Sequence, residues 1–214
     1  QPGILVNDRL DLKDFEGGWD FTTPEQFKVE KWPEVNGKKI AWETCQTFSG
    51  SWGYYRDEHS WKNNKQLLGL LIESVSKGGN LLLNVGPTAR GDFDARADKA
   101  LQGMGEWMKY NARSIYGCTQ APEGFTAPDN TLLTYNPKTN RLYVHLLDYP
   151  LQFLTLKGYH SKVKHARFLH DASEILPGKG AHNHEESNKD DLNLRLPVIQ
   201  PDVEIPVIEL ILDD

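Results

Sequence analysis

The sequence predicts an α/β region followed by an all-β region, and three observations carry that expectation. In the first half, apolar runs that do not alternate with polar residues, such as residues 80–85, stand between segments of helical spacing. That is the pattern of parallel strands buried on both faces. In the second half, from about Cys118, short apolar segments recur with turn residues between them and no helical spacing, as in an antiparallel β-sandwich. The composition, 38% hydrophobic, 10% aromatic and 25% charged, is that of a globular chain able to bury a core. At 214 residues, two domains of ordinary size are the default, divided here into residues 1–118 and 119–214.

The elements follow in order. Residues 4–7, Ile-Leu-Val-Asn, read as a buried strand ending in the polar Asn7-Asp8-Arg9. A Gly-, Asp- and Pro-rich loop extends to about Gly37. It holds a short helix predicted to start at Thr23-Pro24-Glu25, with Thr23 as cap and Pro24 in the first turn. Residues 39–44 form a second strand, followed by a Gly-, Ser- and aromatic-rich loop at 46–61. Residues 64–77 are a helix whose leucines cover most of its circumference, stopped by Gly78-Gly79. After the strand at 80–85, Gly86-Pro87 breaks the chain. A helix at 95–111 then carries Ala97, Leu101, Met104 and Met108 at three- and four-residue steps with Trp107 beside them, a core stripe rather than a cofactor box. Short strands are expected at 132–135, 142–147, 153–156, 163–169, 192–196 and 207–212.

Several function classes are disfavoured. A net charge of -6 argues against a nucleic-acid or anionic-membrane surface, which calls for clustered Lys and Arg. No apolar run approaches the roughly 20 residues that span a bilayer. A neutral or sugar-like ligand fits better. Cys45 and Cys118 are too few for a disulfide framework and match no zinc spacing, so they read as two buried thiols that leave the compartment open. His182-Asn183-His184-Glu185-Glu186 lacks a partner at diagnostic metal spacing and reads as a solvated loop. No metal and no cofactor is implied. Gln1-Pro2-Gly3 runs straight into Ile4-Leu5-Val6 with no initiator Met or signal pattern, so the chain reads as the middle of something longer.

Three strings then stand out in order and spacing: Ala41-Trp42-Glu43-Thr44-Cys45, Ser51-Trp52-Gly53-Tyr54, and Gly78-Gly79-Asn80-Leu81-Leu82-Leu83-Asn84-Val85-Gly86-Pro87. With Asn7-Asp8-Arg9 before them and Ile115-Tyr116-Gly117 after, they resemble the α-L-fucosidases of glycoside hydrolase family 29 over roughly the first 118 residues. The resemblance implies that the three strands read above are the last three of a (β/α)8-type barrel, followed by the family's C-terminal β-domain. It implies hydrolysis of α-L-fucosyl linkages with retention, on fucosylated oligosaccharides or glycoconjugates. A secreted, periplasmic or lysosomal setting is expected rather than a cytoplasmic one. Barrel enzymes place their chemistry at the C-terminal ends of the strands and in the loops beyond.

Retaining glycosidases use two carboxyl groups about 5–5.5 Å apart, a nucleophile and an acid/base. By the resemblance Glu25 is the acid/base, and the nucleophile is an aspartate on a strand that precedes Gln1. By spacing alone, Glu25 has another account, a carboxylate stabilised in the first turn of a helix. Glu43 is the runner-up, with a structural carboxylate that must be paired at a strand end as its other reading. Arg9 corresponds to an arginine that contacts the bound fucose; otherwise it is a structural ion pair with Asp8 or Asp20. Trp52 corresponds to an aromatic wall near the C5 methyl, a source of selectivity for a deoxy sugar, or else it is core. Trp19, Tyr54 and His59 are further candidates for the mouth. Two other readings stand beside the enzyme. One is a non-catalytic binding or subunit fragment that needs an upstream segment or a homo-oligomer to cover its strand edges; the other treats residues 119–214 as a lectin-like module.

Overall fold

Residues 1–9, 11–12, 17–178 and 188–213 are described by a computed structural model. The cluster at residues 182–186 lies outside them. The chain divides into two compact units, Gln1–Met104 and Gly105–Asp214.

The first unit is built on a three-stranded parallel sheet, β1 (Phe21–Thr22), β4 (Ala41–Thr47) and β5 (Asn80–Asn84), in the order β1-β4-β5. Between β1 and β4 a small hairpin pairs β2 (Glu34–Val35) with β3 (Lys38–Lys39) around Asn36 and Gly37, both at positive φ. This Asn-Gly pair suits the tight hairpin turn that needs left-handed backbone at both central positions. The crossover from β4 to β5 contains α1 (Asn64–Ser76). Asn63 and Gln66 cap its start reciprocally, each side chain accepting the other's backbone N–H at 2.9 Å. At its end, Gly78 N–H donates to the Val75 carbonyl and Gly79 N–H to the Ser74 carbonyl, with Gly78 at φ +78°. Gly79 has a second constraint, since a Cβ there would meet the Trp42 ring at 2.2 Å.

Alternation along β4 divides the sheet into two faces. Trp42, Thr44 and Gln46 are buried toward α1, where Leu67, Leu68 and Ile72 are fully buried. Glu43 and Cys45 point to the opposite face, and Leu82, the partner of Cys45 in register, is 48% exposed there.

Two expectations fail in this unit. Residues 4–7 form no strand: Ile4 and Leu5 are 62% and 72% exposed, and only Asn7 bridges Phe21, in parallel. The run is apolar enough for a strand, but among the described residues of the unit nothing covers Ile4 and Leu5. The helix at Thr23-Pro24-Glu25 is also absent, because the backbone there runs beside β4. The Cys45 N–H donates to the Pro24 carbonyl at 3.0 Å and the Gln26 N–H to the Cys45 carbonyl at 2.9 Å. Pairing with a neighbouring strand overrides the local Thr-Pro-Glu signal.

Helix α2 (Ala95–Asn111) has the predicted bounds, and the division between units falls within it. Its buried stripe is Ala97, Ala100 and Trp107 with Met104 partly buried, whereas Leu101 is exposed. The stripe is therefore turned by one residue at that position, with the small Ala100 lying against Phe48 and Leu67.

In the second unit a short 3-10 turn (Ala112–Ser114) leads, among the described residues, into six strands: β6 (Thr131–Asn136), β7 (Arg141–Leu146), β8 (Phe153–Leu156), β9 (Val163–Phe168), β10 (Leu192–Arg195) and β11 (Val207–Leu212). They form an antiparallel sheet β6-β7-β11-β9 and an antiparallel pair β10-β8. One core joins them, with Leu142, Val144, Leu154, Leu156, Leu194, Ile208 and Leu210 among its members. The other face of the large sheet is also buried. Tyr143 and Glu209 lie there, and Arg167 donates to Glu209 at 2.5 Å. On that side His145 stacks on Trp107, whose indole N–H donates to the Ile205 carbonyl at 3.0 Å.

Candidate functional site

The open face of the parallel sheet gathers the charged candidates. Glu25 is the parallel bridge partner of Cys45, so it shares the face of Cys45 and Glu43. Arg9 reaches it from the segment after the Asn7 bridge. Its Nη1 lies 2.8 Å from Glu25 Oε2, and its Nη2 donates to the Thr23 carbonyl at 3.1 Å. The guanidinium is thus aimed by two acceptors, while both members of the pair keep about half their side-chain surface open, 42% and 46%. An ion pair this exposed contributes at most about 1 kcal/mol. It orients groups more than it stabilises the fold.

Neither acid expected as a structural partner of Arg9 takes that role. Asp8 is buried and accepts from the Thr22 hydroxyl at 2.7 Å and the Thr23 N–H at 3.0 Å. Asp20 accepts from the Val6 N–H at 2.8 Å. Both carboxylates tie the N-terminal segment to β1, and Arg9 is left for Glu25. Cys45 registers the surrounding charge: burial pushes its thiol up, Arg9 pulls it down, and Glu25 and Glu43 raise it. It is a half-buried free thiol. Glu43 is half-buried, level with Asn80 in register.

Trp52 stands beyond the C-terminal end of β4, 39% exposed. Its carbonyl accepts from Asn84 Nδ2 at 2.6 Å, which ties it to the end of β5. Behind it the backbone of Gly53 and Tyr54 packs on Gly86 so closely that a Cβ at Gly86 would lie 2.5 Å from both. The structure therefore joins Arg9 to Glu25, sets Glu43 on the same face, and holds Trp52 beyond the C-terminal end of β4. Tyr54 lies beside Trp52 on the loop at 44% exposure, and His59 is exposed near its far end.

Several residues that secure this loop escape a reading of motifs. The Glu58 carboxylate accepts from the Ser51 hydroxyl at 2.5 Å and from the Ser60 hydroxyl and N–H at 2.7 and 2.8 Å. The Ser51 and Ser60 bonds hold it down at about 2. Lys62 donates to the Thr47 carbonyl at 2.7 Å, and burial lowers its ammonium. Arg96 donates to the Glu58 and Arg56 carbonyls at 2.8 and 3.1 Å. The only local cue to Arg96 is the Asp94-Ala95-Arg96 spacing at a helix start, which signals a cap.

Among the described residues no group of three or more His, Cys, Asp or Glu side chains is placed to hold a metal ion. No helix among them is long and apolar enough to cross a membrane. The arrangement at the sheet's open face offers a solvent-reachable carboxylate and a guanidinium donor beside it.

Residues 1–113 match the family model described as alpha-L-fucosidase. The plasma alpha-L-fucosidase of Homo sapiens is 35% identical over 113 residues, 51% of this chain and 24% of that protein. The tissue alpha-L-fucosidase of Bos taurus is 31% identical over 152 residues, 69% of this chain and 31% of that protein. Among solved structures, alpha-L-fucosidase isoenzyme 1 from Paenibacillus thiaminolyticus matches 100% of this chain and 51% of its own, with a TM-score of 0.88 at 34% identity. The chain spans about half the length of that structure, and its matched segments span a smaller share of the curated relatives.

Proposed function

The chain belongs to the α-L-fucosidase family, and on that premise we propose that it supplies the acid/base and part of the sugar pocket of an enzyme that hydrolyses terminal α-L-fucosyl linkages with retention of configuration. In this reading residues 1–118 form the closing portion of a (β/α)8-type barrel and residues 119–214 a β-sandwich that accompanies it. The observation that carries the reading is the exposed Arg9–Glu25 pair on the open face of the parallel sheet.

Glu25 protonates the leaving glycosidic oxygen and then, as a carboxylate, takes a proton from the water that releases the sugar. Arg9 orients Glu25 and donates to sugar hydroxyls when substrate displaces part of its present bonding. Trp52 presents an apolar wall to the C5 methyl, and a hydroxymethyl sugar gains less there. The nucleophile is an aspartate outside these 214 residues, carried by the part of the family fold that the chain does not span. That same part covers the face bearing Leu82, which a parallel sheet normally buries. Fucosylated oligosaccharides and glycoconjugates are the substrates.

The test is hydrolysis of an aryl α-L-fucoside by this chain alone and by the chain joined to the missing part of a family member. Activity is expected only from the joined protein; activity of the chain alone would sink the upstream nucleophile. In the joined protein, Glu25→Gln should slow a natural glycan by about 100-fold or more, and slow an activated aryl fucoside far less, since its leaving group needs little protonation. If Glu43→Gln gives that pattern instead, Glu43 is the acid/base. A non-catalytic subunit that lends its open face to a partner is the second reading, favoured by the exposure of Leu82. No turnover by the joined protein would select it.

A further inference from the structure

Arg96 uses its whole guanidinium to hold the loop that carries Trp52. Its Nε and Nη2 each meet Asp94 at 2.8 Å, a bidentate pair that fixes the plane of the group. Nη1 then donates to the Glu58 carbonyl at 2.8 Å and Nη2 to the Arg56 carbonyl at 3.1 Å. The flat face of the same group lies 4.7 Å from the centre of the Trp61 ring. Trp61 Nε1 is buried and has no hydrogen-bond partner among the described residues, so the cation over its ring is the polar contact the side chain makes.

The hold continues through Glu58. Its backbone carbonyl is fixed by Arg96, and its carboxylate receives the hydroxyl of Ser51, the residue next to Trp52. Asn84 Nδ2 donates to the Trp52 carbonyl at 2.6 Å. The backbone at Trp52 is therefore tied both to the end of β5 and to a chain of bonds that begins at the first turn of α2.

We propose that the Asp94–Arg96 pair is a positioning device that sets Trp52 and thereby the selectivity of the site for a 6-deoxy sugar over its hydroxymethyl counterpart. The proposal rests on the fucosidase reading for the role of Trp52, but the clamp itself is independent of that reading. Lysine cannot replace the arginine, because one ammonium cannot serve Asp94 bidentately and two carbonyls together.

Two measurements test it. In the 214-residue chain, Arg96→Ala and Asp94→Asn should speed amide hydrogen exchange across residues 50–61 and leave that of β6 to β11 unchanged. In the joined protein, the ratio of kcat/KM for an aryl α-L-fucoside to that for the α-L-galactoside should fall about tenfold in Arg96→Ala. Arg96→Lys should lie between the two. A merely structural role would lower both substrates by one factor and keep the ratio. An unchanged ratio, or unchanged exchange in the loop, overturns the proposal. Should Arg96→Ala fail to fold, Arg96→Lys and Asp94→Asn carry the same readouts. Absence of fucoside hydrolysis in the unsubstituted joined protein would instead remove the parent reading, and with it any sugar for Trp52 to select.

Discussion

The two units handle the faces of their sheets in opposite ways. In the second unit the large antiparallel sheet is buried on both sides, by Leu142, Val144 and Leu210 on one face and by Tyr143, His145 and Glu209 on the other. In the first, α1 covers one face of the parallel sheet, while the other presents Glu25, Glu43 and the exposed Leu82. A face that carries titratable groups in reach of solvent is costly to fold around and useful for chemistry. The second unit spends its polar groups on closing itself; the first leaves them open.

The comparison is broken most severely at Glu209. This carboxylate is 2% exposed and paired with Arg167. Arg167→Ala should cost about 3 kcal/mol in denaturant unfolding of the second unit, because it strands a buried charge. By contrast, Arg9→Ala, which frees the exposed Glu25, should leave stability within about 1 kcal/mol.

A smaller effect tests the same face of the second unit through pH. His145 is fully buried, donates to or accepts from the Thr134 hydroxyl at 2.9 Å through Nε2, and is lowered to about 3 by burial. The unfolded chain therefore binds the proton first. Stability is fully present above the unfolded value of about 6.5 and is lost as pH falls toward 3, by ~2 kcal/mol between pH 6.5 and 5. Comparing urea midpoints at the two pH values should show this loss, and His145→Asn should flatten it.

The smallest effect sharpens the contrast. Leu82→Ser should change the stability of this chain by less than about 0.5 kcal/mol, because the side chain is 48% exposed. In the joined protein the same change should cost about 2 kcal/mol or more, if the face is covered there. Equal costs in the two settings would mean that nothing covers it.

The legible parts of this fold are those whose signals are local. The bounds of α2, β8 and β11 coincide with their sequence periods, and Gly78-Gly79 ends α1 where glycines end helices. The illegible parts depend on a partner elsewhere. Ile4 and Leu5 spell a strand that no described residue of the unit covers, and Thr23-Pro24-Glu25 spells a helix start that β4 pulls straight. Among the candidate residues, motif resemblance named Arg9, Glu25, Glu43 and Trp52, but not that Arg9 passes over Asp8 and Asp20 to reach Glu25. Arg96 was invisible because its acceptors are backbone carbonyls 38 and 40 residues earlier, and carbonyls carry no sequence signature.

That last feature bears on anyone who would graft a new aromatic loop between β4 and α1. The segment is not portable by itself, since its shape is written partly in Asn84 and Gly86 and partly in Asp94 and Arg96. A transplant that brings only residues 48–61 would inherit the tryptophan without its posture; the cassette to exchange includes those four distant positions as well.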